Sequence, residues 1–134
     1  MTSTDGAPVT ALPSIVVADD ELHLLDLVAT IIEDLGYTVI RASDGEIALR
    51  SVLQHQPVLL ITDVMMPRVR GDELCRRLKD IPATADIPVV LLTSLPRGNV
   101  DSACAAAFVD KPFSIEYLEA VVRNLLNETA NELA

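Results

Sequence analysis

Tryptophan is absent and aromatic side chains make up only 3% of the chain, so there is no platform on which nucleic-acid bases could stack. Basic residues are scarce as well: ten Lys and Arg face twenty Asp and Glu, for a formal net charge of -10. Polyphosphate backbones and anionic membrane surfaces repel such a chain, which argues against direct DNA binding and against a membrane partner. There are only two cysteines, neither in a C-x-x-C pair, so no disulfide framework is expected and a reducing, cytoplasmic setting is the simpler reading. Cys75, on the apolar side of its helix, and Cys104 read as small buried hydrophobes, while His23 and His55 read as surface or helix-end residues. No apolar run approaches the roughly 20 residues that span a bilayer. The opening MTSTDGAPVTALPS lacks the basic and apolar regions of a secretory signal.

What is present is apolar material for a core: half of the 134 residues are hydrophobic, enough for one domain of ordinary size. Residues 1–13 read as a flexible arm, 14–127 as the domain, and 128–134 as a tail or an extension of the last helix. Within the domain, short apolar runs alternate with amphipathic stretches. Ile15–Ala18 stops at Asp19-Asp20. Leu24, Val28, Ile31 and Leu35 then recur at helical spacing, with Gly36 as a stop. Tyr37–Ile40 predicts a second strand, and Ser43-x-x-Glu46 a capping box for a helix ending near Gln54. Val58–Thr62 predicts a third strand, followed by a loop from Met65 to Gly71 and a helix carrying Leu74, Cys75 and Leu78. Val89–Leu92 predicts a fourth strand, Arg97–Ala105 a short weak helix, Ala106–Val109 a fifth strand, and Ser114 the cap of a final helix. Strands linked by helices are parallel, and strands apolar at every position are covered on both faces. The expected fold is a three-layer αβα sandwich around a five-stranded parallel sheet with right-handed crossovers.

Ligands of open α/β sheets gather at the carboxyl ends of the strands. The residues found there are Asp19 and Asp20, Asp63, Thr93 and Ser94, and Lys111. Two unit charges about 4 Å apart repel by about 4 kcal/mol at an effective dielectric near 20, so three carboxylates together require a cation or a proton. An all-oxygen set without His or Cys suits Mg²⁺, with Mn²⁺ as a substitute, rather than zinc. A lysine and a threonine hydroxyl add partners for phosphoryl oxygens, so the set suits phosphoryl transfer to an aspartate nucleophile.

The motifs IVVADDE (15–21), LLITDVMMP (59–67), LLTS (91–94) and FVDKPF (108–113) fall in order at successive strand ends. Together they resemble the response-regulator receiver domain of two-component signalling over about residues 14–127, here standing alone. The resemblance implies a flavodoxin- or receiver-like (βα)₅ topology with strand order 2-1-3-4-5. It implies that Asp63 is the phosphoacceptor for a sensor histidine kinase or a histidine phosphotransfer protein. Asp20, Asp63 and the Met65 backbone carbonyl would bind the metal directly, Asp19 mainly through water. Thr93 and Lys111 would hold phosphoryl oxygens, Thr93 and Phe108 would form the switch, and Lys111-Pro112 would be a cis peptide. Such a domain is no enzyme beyond its own phosphorylation and dephosphorylation. It would act on an unknown downstream protein or relay phosphate.

Two departures stand out. Arg70 occupies a place where the family commonly has an acid; its charge could act on Asp63 or be a solvated loop charge. Thr93 and Lys111 are only 18 positions apart, which leaves room for no more than a shortened fourth helix. Taken singly, Asp20 could be a helix cap, Thr93 a turn residue, Lys111 a loop lysine and Phe108 core filling. A phosphorylation-independent interaction module that retains the acidic site is the alternative function. A dehalogenase-like phosphatase would need a second acid where Met65 stands, and flavin binding would need a Ser/Thr/Gly-rich loop after the first strand. Leu22, Leu24, Leu25 and Leu27 wrap widely around the first helix, which suggests part of a docking surface for kinase helices.

Overall fold

The computed structural model describes residues 13–101 and 103–133; most of the expected N-terminal arm and the last residue of the expected tail lie outside the described residues. The elements run β1 (Ser14–Ala18), α1 (Leu22–Asp34), β2 (Thr38–Ala42), α2 (Gly45–His55), β3 (Leu59–Asp63), α3 (Gly71–Lys79), β4 (Val89–Thr93), a 3₁₀ turn (Arg97–Asn99), β5 (Ala107–Asp110) and α4 (Ile115–Leu133). All five strands are parallel, in the order β2-β1-β3-β4-β5.

Alternation along the strands explains why their apolar runs are unbroken. Ile15, Val17, Leu59, Ile61, Val90 and Leu92 pack with Leu25, Val28 and Ile32 of α1 and Leu118 and Val122 of α4. Val16, Ala18, Leu60, Val89 and Leu91 face the other way, onto Ala48 and Val52 of α2 and Leu74, Cys75 and Leu78 of α3. Each Val, Leu or Ile so removed from water contributes on the order of 1.5–3 kcal/mol, and two such layers fix the strand register.

The strands end later than the apolar runs suggest: β2, β3 and β5 extend through Ala42, Asp63 and Asp110. Ladder hydrogen bonds involve the backbone alone, so a polar side chain does not end a strand as it ends an apolar run. The capping box expected at Ser43 and Glu46 is displaced by one residue. Asp44 is the N-cap, its Oδ1 accepting from the Ile47 N–H at 2.8 Å. Its Oδ2 accepts from the Arg68 Nε at 3.3 Å, an ion pair that a serine at the cap could not make. Gly36 ends the turn after α1 at φ 102°, in the left-handed region where a side chain would be strained. The shortened fourth helix is a single 3₁₀ turn.

Replacement of Asp44 by Ala should therefore lower stability measurably, with Ser43→Ala close to neutral. Urea unfolding of the two variants checks the assignment; equal losses would return the cap to Ser43.

Candidate functional site

Register places the acidic residues before any side chain is considered. Ala18 pairs with Thr62, so Asp19 emerges beside Asp63, the last residue of β3. Asp63 pairs with Leu92, which puts Thr93 one step beyond it, and Thr93 pairs with Asp110, the residue before Lys111. The order of the sheet makes β1, β3, β4 and β5 consecutive neighbours, and their carboxyl ends form one edge.

On that edge, carboxylate oxygens of Asp19, Asp20 and Asp63 lie within 4.8 Å of one another. Asp19 and Asp63 are buried and Asp20 is exposed. Lys111 Nζ stands 3.2 Å from Asp63 Oδ1 and 3.4 Å from Asp19 Oδ2, and so offsets one of the three negative charges. The Asp63 Oδ1 also accepts from the Val64 N–H at 2.8 Å, which fixes the carboxylate and leaves Oδ2 without a hydrogen bond among the described residues. Burial pushes the Asp19 carboxyl above its ordinary value; the Glu21 N–H and Lys111 pull it back, and the neighbouring Asp63 opposes them. Excess negative charge, oxygen donors only, and one raised carboxyl together form a donor set that fits a hard divalent cation.

Asp20 does not cap α1. That task falls to Glu21, whose Oε1 accepts from the His23 N–H at 2.6 Å, so Asp20 stays with the cluster. Thr93 is buried and its Oγ1 accepts from the Leu95 N–H at 3.0 Å. The Lys111-Pro112 peptide is cis, and the Lys111 N–H donates to the Thr93 carbonyl at 2.9 Å. Met65 is 51% exposed at the rim. Phe108 is half-buried, and Arg97 lies over its ring at 3.6 Å from the centroid while its Nη2 reaches Asp110 at 3.3 Å.

The loop after Asp63 is short because Gly71 closes it: its N–H donates to the Val64 carbonyl at 2.8 Å, and a Cβ there would fall on the Asp63 carbonyl oxygen. Arg68, at φ 73°, is the strained residue of this loop, spanned by the Val69 N–H to Pro67 carbonyl bond at 2.9 Å.

Arg70 is not a free loop charge: it is tied into the protein on two sides. Its Nε and Nη2 hold both oxygens of Asp72 at 3.0 Å, and Nη2 also donates to the Asn99 carbonyl at 2.9 Å. Asp72 in turn accepts from the Asp101 N–H at 3.0 Å. The shortened connection between β4 and β5 is thus tied to the start of α3. Cys75 and Cys104 join the same two segments: the fold pairs them as a disulfide, with Cα atoms 6.3 Å apart, where the sequence suggested two separate hydrophobes. Position 70 stood out in the sequence but its partners did not, and Asp72, Arg97 and Asp101 carried no signal; the contacts to Asn99, Asp101 and Phe108 are set by where the β4–β5 connection comes to rest.

A doubly wound parallel sheet with acids, a threonine and a lysine gathered on one edge is the CheY-like receiver architecture. The profile of the response regulator receiver domain matches residues 15–123, and the chain belongs to that family of two-component systems. It is 39% identical over 123 residues to the DNA-binding dual master transcriptional regulator RpaA of Synechocystis, covering 88% of this chain and 51% of that protein. The chain spans about half the length of that relative. Among solved structures, the signal receiver domain of a signal transduction histidine kinase from Syntrophus aciditrophicus superposes with TM-score 0.80 at 36% identity, over 87% of this chain and 91% of that one. A CheY-like receiver domain protein from Methanospirillum hungatei gives 0.83 at 25% identity, over 91% and 99%.

Burial alone would raise the Asp72 carboxyl, but the Arg70 hydrogen bonds, then the Asp101 N–H, outweigh it and hold the group below its ordinary 3.8. A lowered carboxyl contributes stability that is present above the unfolded value and lost as pH falls through the folded one. Arg70→Ala should cost about 2 kcal/mol at neutral pH, the worth of charged hydrogen bonds to a buried group. Denaturant unfolding should show the difference from the parent shrinking below pH 3.8. A loss independent of pH would sever the link to Asp72.

Proposed function

We propose that Asp63 accepts a phosphoryl group from the phosphohistidine of a sensor histidine kinase or a histidine phosphotransfer protein. The observation that supports this most directly is the cluster of Asp19, Asp20 and Asp63 with Lys111 bridging two of them. Asp63 Oδ2 forms the new bond to phosphorus as the bond from phosphorus to the donor imidazole breaks. Val64 and Lys111 hold Oδ1 and so orient the nucleophile. Asp19, Asp20, Asp63 and the Met65 carbonyl would hold Mg²⁺ or Mn²⁺, which supplies positive charge to the phosphoryl oxygens during transfer. Lys111 stabilises a further phosphoryl oxygen, and the Thr93 hydroxyl turns from Leu95 to another.

Movement of Thr93 then changes the packing next to Phe108, and the altered surface is read by a downstream protein or the phosphate is passed on. The acidic surface does not suit direct contact with DNA, and the regulatory activity of RpaA belongs to a protein about twice as long. Among the described residues no helix is long and apolar enough to cross a membrane. The reading sets the reaction in the cytoplasm, with no turnover beyond the domain's own phosphorylation and dephosphorylation.

For the donor, a suitable surface is an open groove of about 410 Å³ beside the site, lined by Leu24, Leu27, Ser94, Lys111, Phe113 and Ile115. Leu27 and Ile115 of its lining are each 46% exposed, an apolar surface able to receive a helix of the donor.

Incubation with acetyl phosphate should add one phosphoryl mass to the intact chain in the presence of Mg²⁺. Chelation and Asp63→Asn should each abolish the gain; a gain that survives Asp63→Asn moves the acceptor elsewhere. Leu27→Asp should slow transfer from a phosphorylated kinase about tenfold, the equivalent of about 1.4 kcal/mol of lost contact. Acetyl phosphate, which needs no docking, should react as before. Equal slowing with both donors would place Leu27 in the fold rather than the interface.

A further inference from the structure

We propose that Cys75 and Cys104 form a reversible thiol–disulfide modification site that sets how readily the acidic site takes phosphate. The proposal rests on the phosphoacceptor reading of Asp63. Its substrate is a small-molecule disulfide in one direction and a dithiol in the other.

The two cysteines are the only ones in the chain, and 29 positions separate them. Their Cα atoms are 6.3 Å apart, inside the range a disulfide spans without backbone movement. Cys75 is fully buried in α3, whereas Cys104 is half-buried in the connection between β4 and β5. The reagent therefore meets Cys104 first. The Cys104 thiolate attacks one sulfur of the small disulfide and expels a thiolate, giving a mixed disulfide. The Cys75 thiolate then attacks the Cys104 sulfur and expels the second thiolate. Two protein thiols are oxidised, one small disulfide is reduced to two thiols, and those leaving groups take up the two protons.

The location gives the bond its consequence. Apart from the 3₁₀ turn Arg97–Asn99, the described part of the connection has no helix to anchor it. It is held to α3 by the Arg70 bond to the Asn99 carbonyl, by the Asp101 N–H bond to Asp72, and by the sulfur pair. Without the covalent link there remain these polar ties, an exposed Arg76–Asp101 ion pair at 3.7 Å and the packing of Val100 in the α3-side core, few enough contacts to open in a local fluctuation. The same connection carries Arg97 onto Phe108 and follows directly from Thr93, the two residues that the proposed phosphorylation displaces. At its other end, Arg70 Nη1 reaches the Met65 sulfur at 3.6 Å, two residues past Asp63. The disulfide holds this unit in its unphosphorylated arrangement, and reduction frees it.

The test uses the full chain equilibrated with oxidised glutathione or with dithiothreitol. Maleimide labelling after denaturation, read by mass, should count no free thiols in the first sample and two in the second. The rate of phosphoryl gain from acetyl phosphate and Mg²⁺ should be about fivefold higher in the reduced sample, the lower end of ordinary coupling between sites. Cys104→Ser, at a half-buried position, should show the faster rate under both conditions. Two thiols surviving oxidised glutathione would overturn the modification site. Equal rates in the two forms, with phosphate still gained on Asp63, would overturn the coupling while leaving the phosphoacceptor reading intact. Phosphate gained by neither form would remove that reading and the coupling together, with the thiol count still deciding the chemistry of the sulfurs.

Discussion

Like charges held on one edge of the sheet govern this molecule. The backbone ladders of β1, β3, β4 and β5 bring Asp19, Asp20 and Asp63 within 4.8 Å, and the ammonium among them is that of Lys111. At that separation the uncompensated repulsion amounts to several kcal/mol at an effective dielectric near 20, a notable fraction of the about 5–15 kcal/mol by which a domain is stable. Folding tolerates it because the strands beneath are buried on both faces, so the scaffold holds the groups where solvation would separate them. The same tension makes the edge receptive to a hard cation and to a phosphoryl group whose oxygens Lys111 and Thr93 can meet.

The loop that follows Asp63 shows how closely local backbone and site depend on each other. Gly71 is required because the start of α3 passes against the Asp63 carbonyl, and its N–H closes the loop on the Val64 carbonyl. Arg68 takes a left-handed conformation within that closed loop, and its guanidinium is held by Asp44 at the cap of α2. Position 63 is thereby fixed from its own strand, from the next helix and from a cap two elements away. Such over-determination is what permits a strained residue beside a reactive one.

Much of this was legible in the sequence, for physical reasons that differ by feature. Unbroken apolar runs such as Val89–Leu92 announce strands covered on both sides, and acids placed at the ends of Ile15–Ala18 and Val58–Thr62 announce the shared edge. Strand limits were less legible, because Asp63 and Asp110 pair through their backbones whatever their side chains. The cap of α2 lies at Asp44 rather than Ser43, set by the backbone geometry that points Asp44 Oδ1 at the Ile47 N–H, with Arg68, distant in sequence, as a second partner. The Arg70–Asn99 tie, the Arg97–Phe108 stack and the Cys75–Cys104 pair were illegible, since each depends on where a connection without a regular helix comes to rest.

That connection is where this chain departs most from the pattern it otherwise follows. A helix between β4 and β5 would cover the α3 side of the sheet by apolar burial and would need no specific tether. Here the span between Thr93 and Lys111 is too short, and the burial it can offer is small: Val100 is buried, while Cys104 and Ala105 are only partly covered. Directional contacts take over: a guanidinium on a carbonyl, a carboxylate on an N–H, a cation over a ring, and a sulfur bridge. Burial tolerates sliding, whereas directional contacts are either made or broken. A surface held in that way responds to a change at Thr93 as a unit, and any partner that reads it meets a turn and two arginines in place of the usual helix face.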